Sequence, residues 1–137
     1  MSCIWCEQGR ELEKIAVKVA TLPCGSMYLH RDQTHKGRCL FVYKDHVQKL
    51  TELDQSQYLA LMGDVYKTIT AITKTFLPDK VNMLVLGDMA MHIHIHLCPK
   101  YRDGKEWGQA FLVNEPHPLY LAESELEQII NALRENL

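Results

Sequence analysis

Three histidines, His92, His94 and His96, alternate with apolar residues in one short stretch of the chain. Side chains alternate between the two faces of a β-strand, so the three imidazoles would share one face. Imidazole changes charge near neutral pH, can act as a nucleophile and is a common metal ligand. The packing of a core strand has no use for three of them, so the pattern indicates chemistry. The residues alone leave open catalysis, a metal site made by all three histidines, and a histidine-rich solvent face.

A second group with chemical potential lies at the N-terminus, where Cys3 and Cys6 form a Cys-x-x-Cys pair. Such a pair is half of a typical zinc site. A thioredoxin-like redox role is the competing interpretation. It is disfavoured because redox pairs follow a strand and open a helix, whereas this pair lies at the extreme N-terminus. The third possibility is two cysteines with no joint function.

The composition is typical of an ordinary globular protein, with 137 residues, 47% hydrophobic and 23% charged. This length predicts one domain spanning residues 1–137. The formal net charge of −2 argues against general binding to nucleic acid. The apolar runs are too short to span a bilayer, and no secretory signal is visible, so we expect neither a membrane nor an export role. Five cysteines without a signal favour reduced thiols and a cytoplasmic location.

The elements that must position these groups follow from hydrophobic periodicity. Five segments have strand-like patterns: residues 14–21, 26–30, 38–44, 81–86 and 91–97. The last two are close enough in sequence to form a hairpin. A long helix begins at an Asp54–Gln57 capping pair and ends before Pro78, and a terminal helix follows a Ser124–Glu127 capping pattern. The order predicts an α+β domain with a mainly antiparallel sheet, one long helix and a C-terminal helix.

The long helix carries apolar residues at helical spacing, which predicts a buried stripe. Its members are Leu61, Met62, Val65, Tyr66, Ile69, Ile72 and Phe76.

Residues 92–100 resemble the signature of the histidine triad (HIT) family, His-φ-His-φ-His-φ-φ with φ apolar, followed here by proline and lysine. Residues 38–46 resemble the strand and Lys-x-His turn that precede the long helix in that family, and residues 82–88 the strand before the triad. The resemblance covers roughly residues 1–105. It implies a HIT-like fold that often forms a homodimer.

The resemblance also implies an activity, the hydrolysis or transfer of nucleotides. His94, the middle histidine, would attack the α-phosphorus of a nucleotide conjugate and form a covalent nucleotidyl-histidine, while His96 contacts the phosphate and leaving group. The conjugate would be a nucleoside phosphoramidate, a dinucleoside polyphosphate or a nucleotide sugar. A nucleotide-binding protein without catalysis, on the same fold, is the alternative.

By the same resemblance, the Cys-x-x-Cys pair acquires two partners. Some HIT and related uridylyltransferase proteins bind zinc with such a pair, a downstream histidine and the first triad histidine. The corresponding ligands here are Cys3, Cys6, His46 and His92. A closed Cys₂His₂ site of this kind is structural.

The chain departs from the family pattern on the substrate side. Arg38 stands where many members have histidine, and it could bind phosphate as a forked cation. Asp32 and Gln33 lie near the place of a ribose-binding residue, Asp88 replaces an asparagine, and Lys100 after the triad could face phosphate. We expect these five residues to bind substrate.

Two further expectations concern residues near the triad and outside it. Residues 89–91 offer no hydroxyl to assist a leaving group, which predicts slow turnover or a different leaving group. His30, His35 and His117 belong to no pattern and are expected to be ordinary surface or loop residues.

Overall fold

The computed structural model describes residues 2–137, which form a five-stranded sheet and four α-helices. The helices are α1 (Ile4–Glu7), α2 (Arg10–Glu13), α3 (Gln55–Phe76) and α4 (Glu123–Glu135). The strands are β1 (Ala16–Leu22), β2 (Gly25–His30), β3 (Cys39–Tyr43), β4 (Lys80–Leu84) and β5 (His94–Lys100). A short 3₁₀ turn, Leu50–Glu52, precedes α3. The predicted α+β class, with one long and one C-terminal helix, is confirmed.

The strand order in the sheet is β1-β2-β3-β5-β4, and all neighbouring strands are antiparallel. The predicted hairpin is present as the β4–β5 pair, with residues 85–93 connecting the two strands. The histidine strand begins later than expected, at His94, so His92 lies just before it. β5 therefore carries two of the three histidines between β3 and β4.

The two faces of the sheet are covered differently. On one face, α3 and α4 enclose the main core, which includes Phe41, Ile95 and Leu97. The opposite face has a smaller cluster around Trp5, to which Leu40 and Val42 of β3 belong. Leu40 pairs with His96 and Val42 with His94 across the sheet, so both histidines lie on this second face.

The long helix begins as predicted. The Asp54 carboxylate accepts from the Gln57 N–H at 2.8 Å, and the Gln57 side chain accepts from the Asp54 N–H at 2.9 Å, which completes the capping box. Pro78 follows the left-handed Leu77 that ends the helix. The predicted buried stripe is wrong at Tyr66, which is 70% exposed.

The start of the terminal helix was predicted two residues too late. The Glu125 carboxylate accepts from the Ala122 N–H at 3.4 Å, so Ala122 is the N-cap residue of α4. Ser124, the predicted N-cap, lies inside the helix. Among residues 2–137, no helix has both the length and the apolar character needed to cross a bilayer.

Candidate active site

His94 is held by the main chain directly before its own strand. Its Nδ1 lies 2.7 Å from the carbonyl oxygen of His92, and a carbonyl can only accept, so Nδ1 carries the proton. The lone pair is then on Nε2. The ring is 7% exposed and lies 5.2 Å, centroid to centroid, from the ring of Trp5 in α1. His94 thus presents an oriented Nε2 atom on the smaller face of the sheet.

His92 has the opposite arrangement. Its Nε2 donates to the carbonyl oxygen of Tyr43 at 2.7 Å, which leaves the Nδ1 lone pair available. Burial lowers the pKa of His92 below its ordinary value, which favours the neutral ring that a metal ligand requires.

The four predicted metal ligands converge at this Nδ1 atom. The ligand atoms of Cys3, Cys6, His46 and His92 all lie within 4.8 Å of one another. Nδ1 of His92 is 3.5 Å from the sulfur of Cys3 and from the sulfur of Cys6. Nδ1 of His46 is 3.4 Å from the sulfur of Cys6. A tetrahedral zinc ion with Zn–S of about 2.3 Å and Zn–N of about 2.05 Å separates sulfur from nitrogen by about 3.5 Å. The donor set and its spacing therefore fit a closed Cys₂His₂ metal site.

His96 differs from both other histidines because its Nδ1 faces a cation. The Arg38 Nη2 lies 3.3 Å from this nitrogen. Burial, followed by the charge of Arg38, lowers the pKa of His96 to about 3, so the ring is neutral at physiological pH. The His94 and His96 rings meet edge to face with centroids 5.4 Å apart.

Arg38 is 1% exposed and has several partners. Nη2 also donates to the carbonyl oxygen of Val113 at 3.0 Å, and Nη1 lies 3.8 Å from the Asp32 carboxylate. The Phe111 ring stacks on the guanidinium, with 5.3 Å between the Arg38 Cζ and the ring centroid. The guanidinium is thus enclosed by β5, the β2–β3 connection and the segment after β5.

Asp32 and Gln33 lie beside this arginine and are both buried. Burial by itself would raise the pKa of Asp32, but hydrogen bonds from Thr34 and Leu119, with the Arg38 charge, bring it below its ordinary value. The Gln33 amide binds the backbone of the β2–β3 connection, donating to His30 and accepting from the Gly37 N–H. Asp32 therefore supplies a negative charge near the site, whereas the Gln33 amide is engaged by the turn.

Asp88 and Lys100 lie at opposite ends of the candidate site. Asp88 is exposed and, with His92 and His94, lines a cavity of about 360 Å³. Lys100 is 2% exposed, and its Nζ donates to the carbonyl oxygens of Glu106 and Gln109. Lys100 thus anchors the segment after β5 at the far end of the strand from His94.

Two histidines near the site did not stand out in the sequence. His35, expected on the surface, is 8% exposed and its Nε2 pairs with the Glu106 carboxylate at 2.8 Å. Burial, together with the charge of Arg38, lowers the pKa of His30 to about 4. Neither residue lies in a motif, and their partners are distant in sequence or contributed by the turn. His117 is exposed, as expected.

Comparisons with known proteins give matches in sequence and in structure. The sequence profile of the HIT domain family matches residues 11–103. An adenosine 5'-monophosphoramidase of Schizosaccharomyces pombe is 28% identical over 105 residues, which are 73% of this chain and 75% of that protein.

Solved structures share the fold. A histidine triad protein from Sinorhizobium meliloti superposes with a TM-score of 0.83 at 19% identity, covering 93% of both chains. A zinc-bound histidine triad family protein from Mycobacterium smegmatis gives a TM-score of 0.68 at 22% identity, covering 99% of this chain and 93% of the other.

Proposed function

Because the chain belongs to the HIT domain family, we propose that it is a nucleotidyl hydrolase or transferase that uses His94 as its nucleophile. Its substrate would be a nucleotide conjugate cleaved at the α-phosphate, such as a nucleoside phosphoramidate or a dinucleoside polyphosphate. The named activity of the S. pombe relative, a monophosphoramidase, favours the first of these.

The observation that carries the proposal is the hydrogen bond between Nδ1 of His94 and the carbonyl oxygen of His92 at 2.7 Å. It keeps the proton on Nδ1 and leaves the Nε2 lone pair directed away from the main chain. A neutral imidazole fixed in this way is a competent nucleophile at pH 7 without a separate base.

The chemistry would proceed in two displacements. Nε2 of His94 forms a bond to the α-phosphorus while the bond from phosphorus to the leaving group breaks, and the leaving group departs with the electron pair. Water then attacks the same phosphorus, the phosphorus–nitrogen bond returns its electrons to the ring, and nucleoside monophosphate and a proton are released. The Nδ1–H of His94 remains hydrogen-bonded to the His92 carbonyl oxygen throughout, and this hydrogen bond stabilises the positive charge of the ring in the intermediate.

The substrate-side residues have separate proposed roles. Asp88, which shares a cavity with His94, would contact the conjugate directly. Asp32 would act through its charge beside Arg38. Arg38, Gln33 and Lys100 are held by protein groups, so any contribution to binding would come mainly through the walls they support.

We further propose that Cys3, Cys6, His46 and His92 bind a structural zinc ion. The sulfur–nitrogen distances of 3.4–3.5 Å support this assignment. The ligands need thiolates, which accords with the reducing, cytoplasmic compartment expected from the sequence. The ion would fix the N-terminal residues against the segment that carries the His92 carbonyl.

A direct test offers the purified protein a panel containing adenosine 5'-phosphoramidate and a diadenosine polyphosphate and follows release of nucleoside monophosphate. Wild type should turn over at least one conjugate, and intact-mass measurement after rapid quenching should detect a nucleotidyl adduct. His94→Ala should lose both, by about 10³-fold or more in rate, because the covalent path is removed.

The matched control is His117→Ala, which removes an exposed histidine outside the site and should leave the rate unchanged. Full activity in His94→Ala would overturn the assignment of the nucleophile. Nucleotide binding by wild type with neither turnover nor adduct would favour the non-catalytic alternative.

A further inference from the structure

Arg38 is a buried cation whose surroundings need an explanation. At 1% exposure it is among the most fully buried large side chains of the protein, and its Nε has no hydrogen-bond partner among residues 2–137. Burying a charge is costly unless the partners compensate. The nearest carboxylate, Asp32, lies 3.8 Å away, so a tight ion pair is not the reason for this position.

The most informative contact is the one between Arg38 Nη2 and His96 Nδ1 at 3.3 Å. A guanidinium has only donors, so Nδ1 of His96 must be the acceptor. The proton of the neutral ring is then on Nε2. His96 is therefore the opposite tautomer of His94, whose proton is on Nδ1.

We propose that Arg38 is a positioning residue that holds His96 as its neutral Nε2–H tautomer, so that His96 presents a hydrogen-bond donor beside the nucleophile. The consequence for catalysis rests on the proposed function, whereas the tautomer does not. In that reaction His96 donates a hydrogen bond to a phosphoryl or leaving-group oxygen or nitrogen and does not act as a cation or a base.

The guanidinium is fixed in the orientation that this role requires. Val113 accepts a hydrogen bond from the same Nη2 at 3.0 Å, and the Phe111 ring covers the group. The Phe111 ring also lies 6.2 Å from that of His96. The segment after β5 therefore contacts both Arg38 and His96 and holds the guanidinium beside the ring.

The charges that face His96 act in the same direction. Arg38 just before β3, His94 on β5 and His30 at the end of β2 all disfavour a positive ring, in addition to burial. The nearby acid, Asp32, is hydrogen-bonded to Thr34 and Leu119 and lies closest to Arg38. His96 thus stays uncharged across the neutral range.

The first test is made on the substrate-free protein. Long-range ¹H–¹⁵N correlation of the ¹⁵N-labelled wild type at pH 7 should assign His96 a protonated Nε2 and an unprotonated Nδ1. In Arg38→Met the His96 ring should lose this preference and show a mixture of tautomers. Arg102→Met, which removes an exposed arginine, is the matched control and should leave His96 as in the wild type.

A wild-type His96 that carries its proton on Nδ1, or on both nitrogens, would overturn the proposal even if Arg38→Met failed to fold. An unchanged tautomer in a folded Arg38→Met would do the same.

The second test separates positioning from direct phosphate binding. Arg38→Met should lower kcat by about 10- to 100-fold, the size typical of groups that orient a functional imidazole, with little change in KM. A rise in KM with unchanged kcat would make Arg38 a phosphate ligand instead. If no conjugate is turned over, the proposed function fails while the tautomer result stands.

Discussion

A neutral imidazole has one N–H donor and one lone pair, so a partner on either nitrogen decides what the other nitrogen can do. The Tyr43 carbonyl leaves His92 a lone pair on Nδ1, next to two thiols. The His92 carbonyl leaves His94 a lone pair on Nε2. Arg38 leaves His96 an N–H on Nε2. Three identical side chains at alternate positions thus present a lone pair on Nδ1, a lone pair on Nε2 and an N–H on Nε2, as the proposed roles of ligand, nucleophile and donor require.

His30 should make the stability of the protein sensitive to acid. Its folded-state pKa of about 4 lies below the ordinary 6.5, so the unfolded chain takes up a proton first as the pH falls. The contribution of neutral His30 to the free energy of unfolding is fully present above about pH 6.5. It decreases as the pH falls, by about 3 kcal/mol at pH 4. His30→Asn, whose amide oxygen can replace Nδ1 as acceptor from the Asp32 N–H, should show a smaller drop.

Urea unfolding of wild type, His30→Asn and His117→Asn at pH 7 and pH 4.5 measures the effect. His117→Asn, which changes an exposed histidine, should lose as much free energy of unfolding between the two pH values as the wild type does. If His30→Asn loses as much stability on acidification as wild type, another group is responsible.

The sequence predicts the candidate residues better than it predicts their chemistry. Alternation was enough to place His94 and His96 on one face, because strand periodicity is local. The hydrogen bonds that distinguish the histidines come from distant groups, such as the Tyr43 carbonyl and the Arg38 guanidinium. The His35–Glu106 pair joins residues 71 positions apart, and no local pattern encodes it.

Among the elements, α1 is too short to be stable alone and depends on what its residues bind. Cys3 and Cys6 place it at the candidate metal site, and Trp5 packs against the ring of His94. The metal would therefore act on the nucleophile in two ways, through Trp5 and through the His92 carbonyl. A metal at this site would therefore take no direct part in the chemistry, and its loss would still lower the rate.

Removal of the metal should release α1 and impair His94. Stoichiometric zinc is expected in wild type and should be absent from Cys3→Ser/Cys6→Ser. In a Trp107→Phe background, where Trp5 is the only tryptophan, emission should shift to longer wavelength as the Trp5 ring leaves its buried position. The rate should fall together with the emission shift.

Cys24→Ser is the control, since Cys24 lies outside the cluster and should retain zinc. Elemental analysis and fluorescence provide the two measurements. Full zinc content in Cys3→Ser/Cys6→Ser would rule out the four-ligand assignment and favour a site made by the triad histidines.

The start of α3 offers a stability test of a local feature. Asp54→Ala removes the acceptor for the Gln57 N–H and should lower the urea midpoint of unfolding. Glu52→Ala, which changes an exposed acid before the helix that makes no such cap, should lower that midpoint much less. Equal losses in the two variants, measured by urea unfolding, would assign the effect to charge and not to the cap.

The two helix starts also illustrate what local patterns can predict. At α3 the side chains of Asp54 and Gln57 can make both capping hydrogen bonds, and both are present. At α4 the Ser124–Glu127 pattern predicts a later start than the one in the structure, where Glu125 accepts from the Ala122 N–H. Glu123 in the first turn pairs with Arg31, 92 residues away, a contact that no local pattern encodes.

For the whole molecule, the fold class is predictable from the apolar patterns of the five strand segments and the two longer helices, but the exposure of the outer surface is not. Tyr66 has the right spacing for the core and yet is 70% exposed. Met83 of β4 is 47% exposed. It pairs with Leu97 of the main core, so it lies on the same side of the sheet as α3.

This surface is where we expect the predicted homodimer to form. Among the described residues β4 pairs only with β5, so its other edge has backbone groups available, and exposed apolar side chains flank that edge. An apolar edge strand of this kind is usually covered, because otherwise it promotes aggregation. A second copy of the chain would bury both the edge and Met83. Light scattering should therefore give twice the monomer mass for wild type.

Met83→Lys places a charge in the expected interface and should weaken the dimer by about tenfold or more in Kd, because a buried unpaired charge costs well over 1 kcal/mol. Leu137→Lys changes an apolar residue of similar exposure at the end of the chain and should leave the mass unchanged. Sedimentation equilibrium across a concentration series gives the two dissociation constants. A monomeric wild type would contradict the predicted dimer. A dimer that tolerates Met83→Lys as well as Leu137→Lys would place the interface elsewhere.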